Sequence, residues 1–410
     1  MKYSILTFGC RVNQADSMDI ERSLRNRGGR AVTVEHADLV VVNSCSVTSS
    51  ADQGTRQAIR RAARENPAAR IVVTGCYATR CPDDLAALPG VSAVVVNDRK
   101  HLLADEVMST AARYAGADGP CGAPYLLDRT ALIIRVQTGC EERCSYCIIP
   151  TTRGSSRSKP VAAIVEELAR AESSGFLEVT LTGVHLGAYG RDANPVSSLS
   201  EMLDAAIDGT GRILIRLGSL EPMDVPSKLG TLSAETGRLA PAFHLPLQHA
   251  SDAVLERMRR PYTLDAYRRI VDPLRERLPD AAIGSDVIVG FPGESDRDFE
   301  ALCRYLESSP LTTLHVFPYS DRPGTEASHL SGKLPGPVIR DRGRAVREIG
   351  QGLSRRFRSS QVGTVREALT IENGSVVVTD NGLKLRLQAP RARNERLTVR
   401  VEEGDIAEPM

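Results

Sequence analysis

The chain has 410 residues, 41% of them hydrophobic and 25% charged, with a net charge of +1, which is length enough for two or three cores. Balanced charge excludes a protein that holds nucleic acid by overall basicity, so such a partner must meet a local patch. Nine cysteines are too few for a disulfide scaffold of this size and odd in number, which suits a reducing cytosol.

The first domain is expected over residues 1–115. Four β-branched apolar runs occur in order: Ser4 to Phe8, Asp38 to Asn43, Arg70 to Gly75 and Ala93 to Asn97. Polar, helix-favouring segments separate them, the pattern of a parallel sheet with covering helices. Cys10, Cys45 and Cys76 each follow the end of one of the first three runs. In open parallel sheets the loops at the carboxyl ends of the strands converge on one crevice, so the three thiols are expected to meet there. One buried cysteine at a strand end is ordinary, since Cys packs as a small apolar residue. Three in succession point instead to a three-cysteine cluster site. Cys81, Cys121 and Cys303 lack this pattern and read as ordinary thiols.

A Gly/Pro-containing linker is expected from Gly116 to Pro124, and the β-then-α alternation restarts over 125–352. Its runs are Ala131 to Val136, Leu177 to Val184, Ile213 to Leu220, Ala242 to Leu247, Ala281 to Gly290 and Thr312 to Tyr319. Stretches such as VAAIVEELARAESSG and SDAVLERMRRPYTLDAYRRIVDPLRERL read as helices between them. Six βα units predict a partial barrel with its function on the loops at the strand carboxyl ends. The first such loop carries Cys140, Cys144 and Cys147 at CxxxCxxC spacing, with Tyr146 between the last two. Three thiolates on one tight loop can hold three irons of a [4Fe–4S] cube and leave the fourth open. A zinc knuckle needs a fourth ligand at similar spacing, and none follows. A disulfide framework belongs to small secreted chains. The neighbouring loops offer Thr182, Gly183, Ser219, Glu221, Gln248, Asp286 and Gly290, where glycine permits close backbone approach and polar groups can bind a ribose or an amino-acid end. His249 reads equally well as a packed histidine or a functional one.

From Val362 the pattern changes to short strands separated by Asn373-Gly374 and Asn381-Gly382, strong hairpin signals. A small antiparallel barrel is expected over 360–410. Arg386, Arg391, Arg393, Arg396 and Arg400 are candidates for a basic RNA-binding face, and seven arginines between Arg340 and Arg358 form a second group. Arginines on a helix or strand are more often simply solvated. The Asn373-Gly374-Ser375 sequon reads as a turn, because the start MKYSILTFGC carries too short an apolar stretch for a secretion signal, and no run approaches the ~18 apolar residues of a membrane span. No membrane partner and a cytoplasmic location are therefore expected.

The stretches TFGCRVNQADS, VVNSCSVT, VTGCYA, QTGCEERCSYCIIPTTRGSSRS, LTGVHLGAYGRD, HLPLQHASD and DVIVGFPGES resemble the radical SAM methylthiotransferases across essentially the whole chain. GCRVNQ and HLGAYGRD most resemble the branch acting on N6-threonylcarbamoyladenosine beside the anticodon of tRNA. The resemblance implies an α/β chain of three parts: a parallel-sheet domain, a partial (β/α)6 radical SAM barrel and a short TRAM-like β-barrel. It implies two [4Fe–4S] clusters, one on Cys10, Cys45 and Cys76 and one on Cys140, Cys144 and Cys147, with S-adenosylmethionine at the second. Further expected partners are the tRNA anticodon stem-loop, an electron donor such as flavodoxin or ferredoxin, and a sulfur source. Reductive cleavage of S-adenosylmethionine would give a radical able to take hydrogen from C2 of adenine, so no acid–base pair is required. The alternatives are isopentenyladenosine or a ribosomal-protein aspartate as substrate, a non-catalytic iron–sulfur electron carrier, and a zinc-binding RNA module.

Overall fold

The computed structural model describes residues 1–109 and 130–410; the linker expected at Gly116 to Pro124, and Cys121 within it, lie outside them. The amino-terminal sheet is parallel throughout, in the order β2-β1-β3-β4-β5. Its strands are β1 (Lys2–Thr7), β2 (Arg30–Ala31), β3 (Leu39–Ser44), β4 (Arg70–Gly75) and β5 (Val91–Val95). The central strand is an unbroken β-branched run because helices cover both faces: Leu39, Val40, Val41 and Val42 are fully buried. The edge strand β2 has two exposed residues and left no periodic trace in the sequence.

The second unit contains six parallel strands: β6 (Ala131–Arg135), β9 (Glu178–Thr182), β10 (Leu214–Leu217), β11 (Ala242–His244), β12 (Ala282–Val289) and β13 (Thr313–Pro318). They form two three-stranded sheets, β10-β9-β6 and β11-β12-β13. Single bridges at Ile215–Leu239 and Ser219–His244 join the two into one curved half-barrel. Alternation along each strand divides its side chains between two jobs. Leu132, Ile134, Val179, Leu181, Ile283 and Val287 bury outward against helices, each worth about 1.5–3 kcal/mol. Ala131, Ile133, Thr180, Gly284, Asp286 and His315 face a cavity instead. A short antiparallel pair, β7 (Gln137–Thr138) and β8 (Arg157–Ser158), closes the base of the cysteine loop.

One helical expectation is corrected: the stretch 251–278 forms two helices, Asp252–Arg257 and Leu264–Arg277. The first helix closes at Arg259, which has φ 57°, with the Arg260 N–H donating back to the Leu255 carbonyl, and Pro261, which lacks an N–H, does not resume it. The break brings Arg260 to the cysteine loop, as described below.

The carboxyl-terminal residues form a closed barrel in the order β14-β15-β16-β18-β17. Its strands are β14 (Val365–Ile371), β15 (Val376–Thr379), β16 (Lys384–Leu387), β17 (Arg396–Glu402) and β18 (Ile406–Pro409). The first four strands are the expected ones, the two Asn-Gly hairpins joining β14 to β15 and β15 to β16, while β17 pairs back on β14. β18 was not anticipated, and it closes the barrel through a parallel pairing with β16, so the barrel is antiparallel in all but that pair. The arginines expected to form a basic face divide. Arg396 donates to the carbonyls of Leu177 (3.0 Å) and Arg212 (2.7 Å), tying the small barrel to the half-barrel. In the helix Gly336–Gln361, Arg342 pairs with Glu294, Arg356 donates to the Ser309 carbonyl, and Arg358 pairs with Asp405. Arg340, Arg344, Arg347 and Arg355 are exposed along that helix, as are Arg386, Arg391, Arg393 and Arg400 on the barrel.

The amino-terminal domain is clamped to the half-barrel through a buried charge cluster. Asp16, 2% exposed, meets Lys100 (2.8 Å) and Arg153 (3.0 Å), and Arg135 reaches its other oxygen (2.7 Å). Burial alone would push the Asp16 carboxyl up, but the three cations outweigh it and hold it well below the usual carboxylate range. Asp16→Asn leaves those cations facing one another and is expected to cost about 3–5 kcal/mol, read as a lowered denaturant midpoint. With the folded carboxyl ionising below its unfolded value of about 3.9, this contribution is complete at neutral pH and lost only as pH falls into acid.

Candidate active site

The half-barrel thiols sit on a loop that the chain pins at both ends. Gly139 has φ +79°, and a Cβ there would lie 1.8 Å from the Ser155 carbonyl oxygen, so only glycine lets the two arms of the loop pass. Gln137, 1% exposed, donates to the carbonyl of Gly139 (2.8 Å) and to Ser156 Oγ (2.9 Å), and its own oxygen accepts from the backbone of His185 (2.9 Å). Ser145 anchors the middle of the loop to the carbonyls of Met258 and Arg257. Within that frame the three sulfurs are neighbours. Burial pushes the Cys147 thiol up to about 12, helped by Cys144 and Cys140, and raises Cys144 as well. Arg260 donates to Cys144 Sγ at 3.1 Å while paired with Glu221. His185 lies 3.8 Å from Cys140 Sγ through Nδ1, and its Nε2 is 2.6 Å from Asp224. Burial lowers the affinity of His185 for a proton, but Asp224 and Cys140 overcome this and raise its pKa to about 10.

The amino-terminal thiols also converge. Cys45 and Cys76 are each 3% exposed, while Cys10 is open to the cavity. A Cβ on Gly9, where φ is +92°, would stand 2.4 Å from Cys45 Sγ, so the loop before Cys10 runs directly over Cys45. Burial pushes the Cys45 thiol up to about 11, with Cys10 and Cys76 adding to it. Burial also opposes ionisation of Cys76, but Arg153 and Lys100 outweigh it and bring that thiol down. All six cysteines are free. Each trio therefore offers three unpaired sulfurs, a donor set that fits an iron–sulfur cube with three protein ligands.

A cavity of about 770 Å³ joins the two halves. Cys10 and Arg11 line it from the amino-terminal domain, Thr182, Gly183, Ser219, His244, Asp286 and His315 from the half-barrel, and Asn381 and Gly382 from the small barrel. Of the remaining candidates, Glu221 belongs to the Cys144 side through Arg260. Tyr146 packs edge-on to Phe291, with ring centroids 6.5 Å apart. Gln248 is 8% exposed and held at φ 65° by backbone bonds to Asp286 and Ile288. Gly290 stands apart from the cavity: a Cβ there would meet Ile339 at 2.6 Å, so its small size serves helix packing. His249 is a packed histidine, fully buried, accepting from the Ser251 backbone, with burial lowering its pKa to about 3. Residue-by-residue reading passed over Arg11, Arg153, His185, Asp224 and Arg260. All but Asp224 lie within stretches that the sequence marks out, TFGCRVNQADS among them, but the groups they face are distant in sequence.

A parallel half-barrel with a pinned CxxxCxxC loop after its first strand defines the class as radical S-adenosylmethionine enzymes, and residues 134–306 match the family described as the radical SAM superfamily. Residues 2–97 match a family described as uncharacterized protein family UPF0004. The chain belongs to the methylthiotransferase family of that class. It is 36% identical to threonylcarbamoyladenosine tRNA methylthiotransferase MtaB of Aquifex aeolicus, over 94% of this chain and 96% of that protein. Identity to the Bacillus subtilis protein of the same name is 33%, over 98% of each. Among solved structures, the radical S-adenosylmethionine methyltransferase TsrM of Kitasatospora setae superposes with a TM-score of 0.59 at 15% identity, covering 80% of this chain and 76% of that one, a likeness of fold. No helix among the described residues is long and apolar enough to cross a membrane.

Proposed function

We propose that this enzyme places a methylthio group on C2 of N6-threonylcarbamoyladenosine beside the anticodon of tRNA, in the cytoplasm. The observation that carries the proposal is the shared cavity: Cys10 of one thiol trio lines it, and so do Thr182 and Gly183, on the loop whose His185 touches Cys140 of the other. Relatives named for this nucleoside, similar over nearly the full chain, support the choice of substrate. The working parts are taken as residues 1–115, 125–352 and 360–410.

In this reading Cys10, Cys45 and Cys76 hold one [4Fe–4S] cluster, and Cys140, Cys144 and Cys147 hold the other. The second cluster, with S-adenosylmethionine bound, supplies one-electron chemistry that reaches a carbon no acid–base group can activate. The chain's own task is position. Gln137 and Gly139 fix the loop, Arg260 and Glu221 orient Cys144, and Asp224 orients His185 against Cys140. Thr182, Gly183, Ser219 and Asp286 line the space for S-adenosylmethionine and the base, with Tyr146 beside the cysteines. The base must be splayed out of the anticodon loop to enter. The exposed arginines of the small barrel and of the helix before it offer the RNA a basic approach. An electron donor and a sulfur source complete the reaction.

Mass spectrometry of tRNA nucleosides from a strain lacking the gene tests this directly. The 2-methylthio derivative of threonylcarbamoyladenosine should vanish while its precursor accumulates. Loss of a methylthio group from isopentenyladenosine, or from a ribosomal-protein aspartate, would replace the proposed substrate.

A further inference from the structure

Among the described residues, one cation that lines the central cavity has no hydrogen-bond or ion-pair partner. Arg11 opens the helix Arg11–Arg25, next to Cys10, and its side chain is exposed to the cavity. Among the described residues it makes no hydrogen bond or ion pair. Of the charged groups that act on it, Arg216 repels it and Glu178 attracts it. Glu178 is already committed, since Arg216 Nε lies 2.7 Å from its carboxylate. Arg216 is itself fully engaged, donating also to the carbonyls of Thr379 and Asp380 at 2.8 Å each. Arg11 therefore brings a positive charge with no ion-pair partner among the described residues into the cavity between the domains.

Two imidazoles stand on the same cavity wall. His244 Nε2 and His315 Nδ1 both reach one oxygen of Asp286, at 2.9 and 3.1 Å, and the two rings stack with centroids 5.1 Å apart. Asp286 thus holds both rings in place, each with its second nitrogen turned away from the shared carboxylate. His315 is close enough to Arg11 to feel its charge.

We propose that Arg11, which lines the same cavity as His315 and His244, is the cation that receives the carboxylate of the substrate's threonylcarbamoyl group. A guanidinium presents paired N–H donors that match a planar carboxylate. The inference rests on the substrate reading above, and it fits the chemistry of that nucleoside. The carboxylate hangs from N6, and only C6 and N1 of the ring separate N6 from C2. Seizing the carboxylate beside Cys10 therefore presents C2 to the same wall. An isopentenyl group offers a guanidinium nothing to hold.

A backbone phosphate has the same anionic chemistry, so the experiment separates the two sources. Anaerobically reconstituted protein is titrated with three labelled anticodon stem-loops carrying threonylcarbamoyladenosine, its methyl ester, or plain adenosine, and binding is followed by fluorescence anisotropy. Wild-type protein should prefer the acid to the ester by about 100-fold. Arg11→Gln should bind all three about equally and hold the ester as wild type does, while Arg11→Lys should recover part of the preference. Because Arg11 makes no contact that supports the fold, these variants should melt as wild type does. Equal weakening of acid and ester in Arg11→Gln would assign the residue to a phosphate and overturn the proposal, as would a wild-type protein indifferent to the ester. Failure of the substrate reading shows separately, as unchanged 2-methylthio-threonylcarbamoyladenosine in the deletion strain, and it would remove this inference with it.

Discussion

Cys140→Ala protein, reconstituted anaerobically with iron and sulfide, is expected to hold about four irons per chain where wild type holds about eight. Given a reductant and S-adenosylmethionine, it should release no 5′-deoxyadenosine. The expectation follows from the loop geometry. The three half-barrel thiols share one pinned loop, and burial pushes two of them toward the neutral form that binds metal poorly. Removing one sulfur leaves two reluctant ligands and an extra open iron, where three were needed to leave a single vacant position. The fold should survive, because among the described residues the hydrogen-bonding contact of Cys140 Sγ is the 3.8 Å approach to His185. An unchanged melting profile with lost cleavage would locate the defect in the chemistry, whereas cleavage at the wild-type rate would sink the assignment of this loop.

The parts of this site that were legible in the sequence are those encoded locally. A β-branched run followed within a few residues by cysteine reports both a buried strand and what its loop carries, so Cys10, Cys45 and Cys76 were placed at strand ends before any coordinates. The apolar run Ala281 to Gly290 likewise gave β12, but it could not say which side chains meet Asp286. That depends on His244 and His315, contributed by two other strands whose pairing is set by the curvature of the half-barrel. Gly290 was read as a point of close ligand approach because glycine was the only information available. Its neighbour Ile339 comes from a helix about 50 residues later.

The charge clusters were silent for the same reason. Asp16 gathers Lys100, Arg135 and Arg153 from segments up to 137 positions away, and nothing near Asp16 in the sequence marks it as a hub. Such a cluster stabilises only when every partner is present, which makes it a lock between domains. It also bears on chemistry, since Arg153 and Lys100 lower the Cys76 thiol in the neighbouring trio. The residues that clamp the two domains together thus also tune one of the proposed cluster ligands.

Cys45→Ala is expected to separate the two halves of the reaction. The variant should still cleave S-adenosylmethionine to 5′-deoxyadenosine at close to the wild-type rate, because the half-barrel loop and its supports at Gln137, Arg260 and His185 are untouched. It should retain about four irons and yield no methylthiolated nucleoside. Cys45 is the sensitive member of its trio: 3% exposed, with its thiol pushed up to about 11 by burial, it gains most from a metal that stabilises the thiolate. Alanine removes that ligand and adds no bulk beneath Gly9, which passes over this side chain, so misfolding is not the expected cause of lost activity. Chromatography of 5′-deoxyadenosine and mass spectrometry of the digested tRNA from one reaction measure both halves together. Loss of cleavage alongside loss of product would mean that the amino-terminal thiols serve the half-barrel site itself. Full methylthiolation would mean that they hold no sulfur-delivering group, and the shared cavity would then need only one reactive wall.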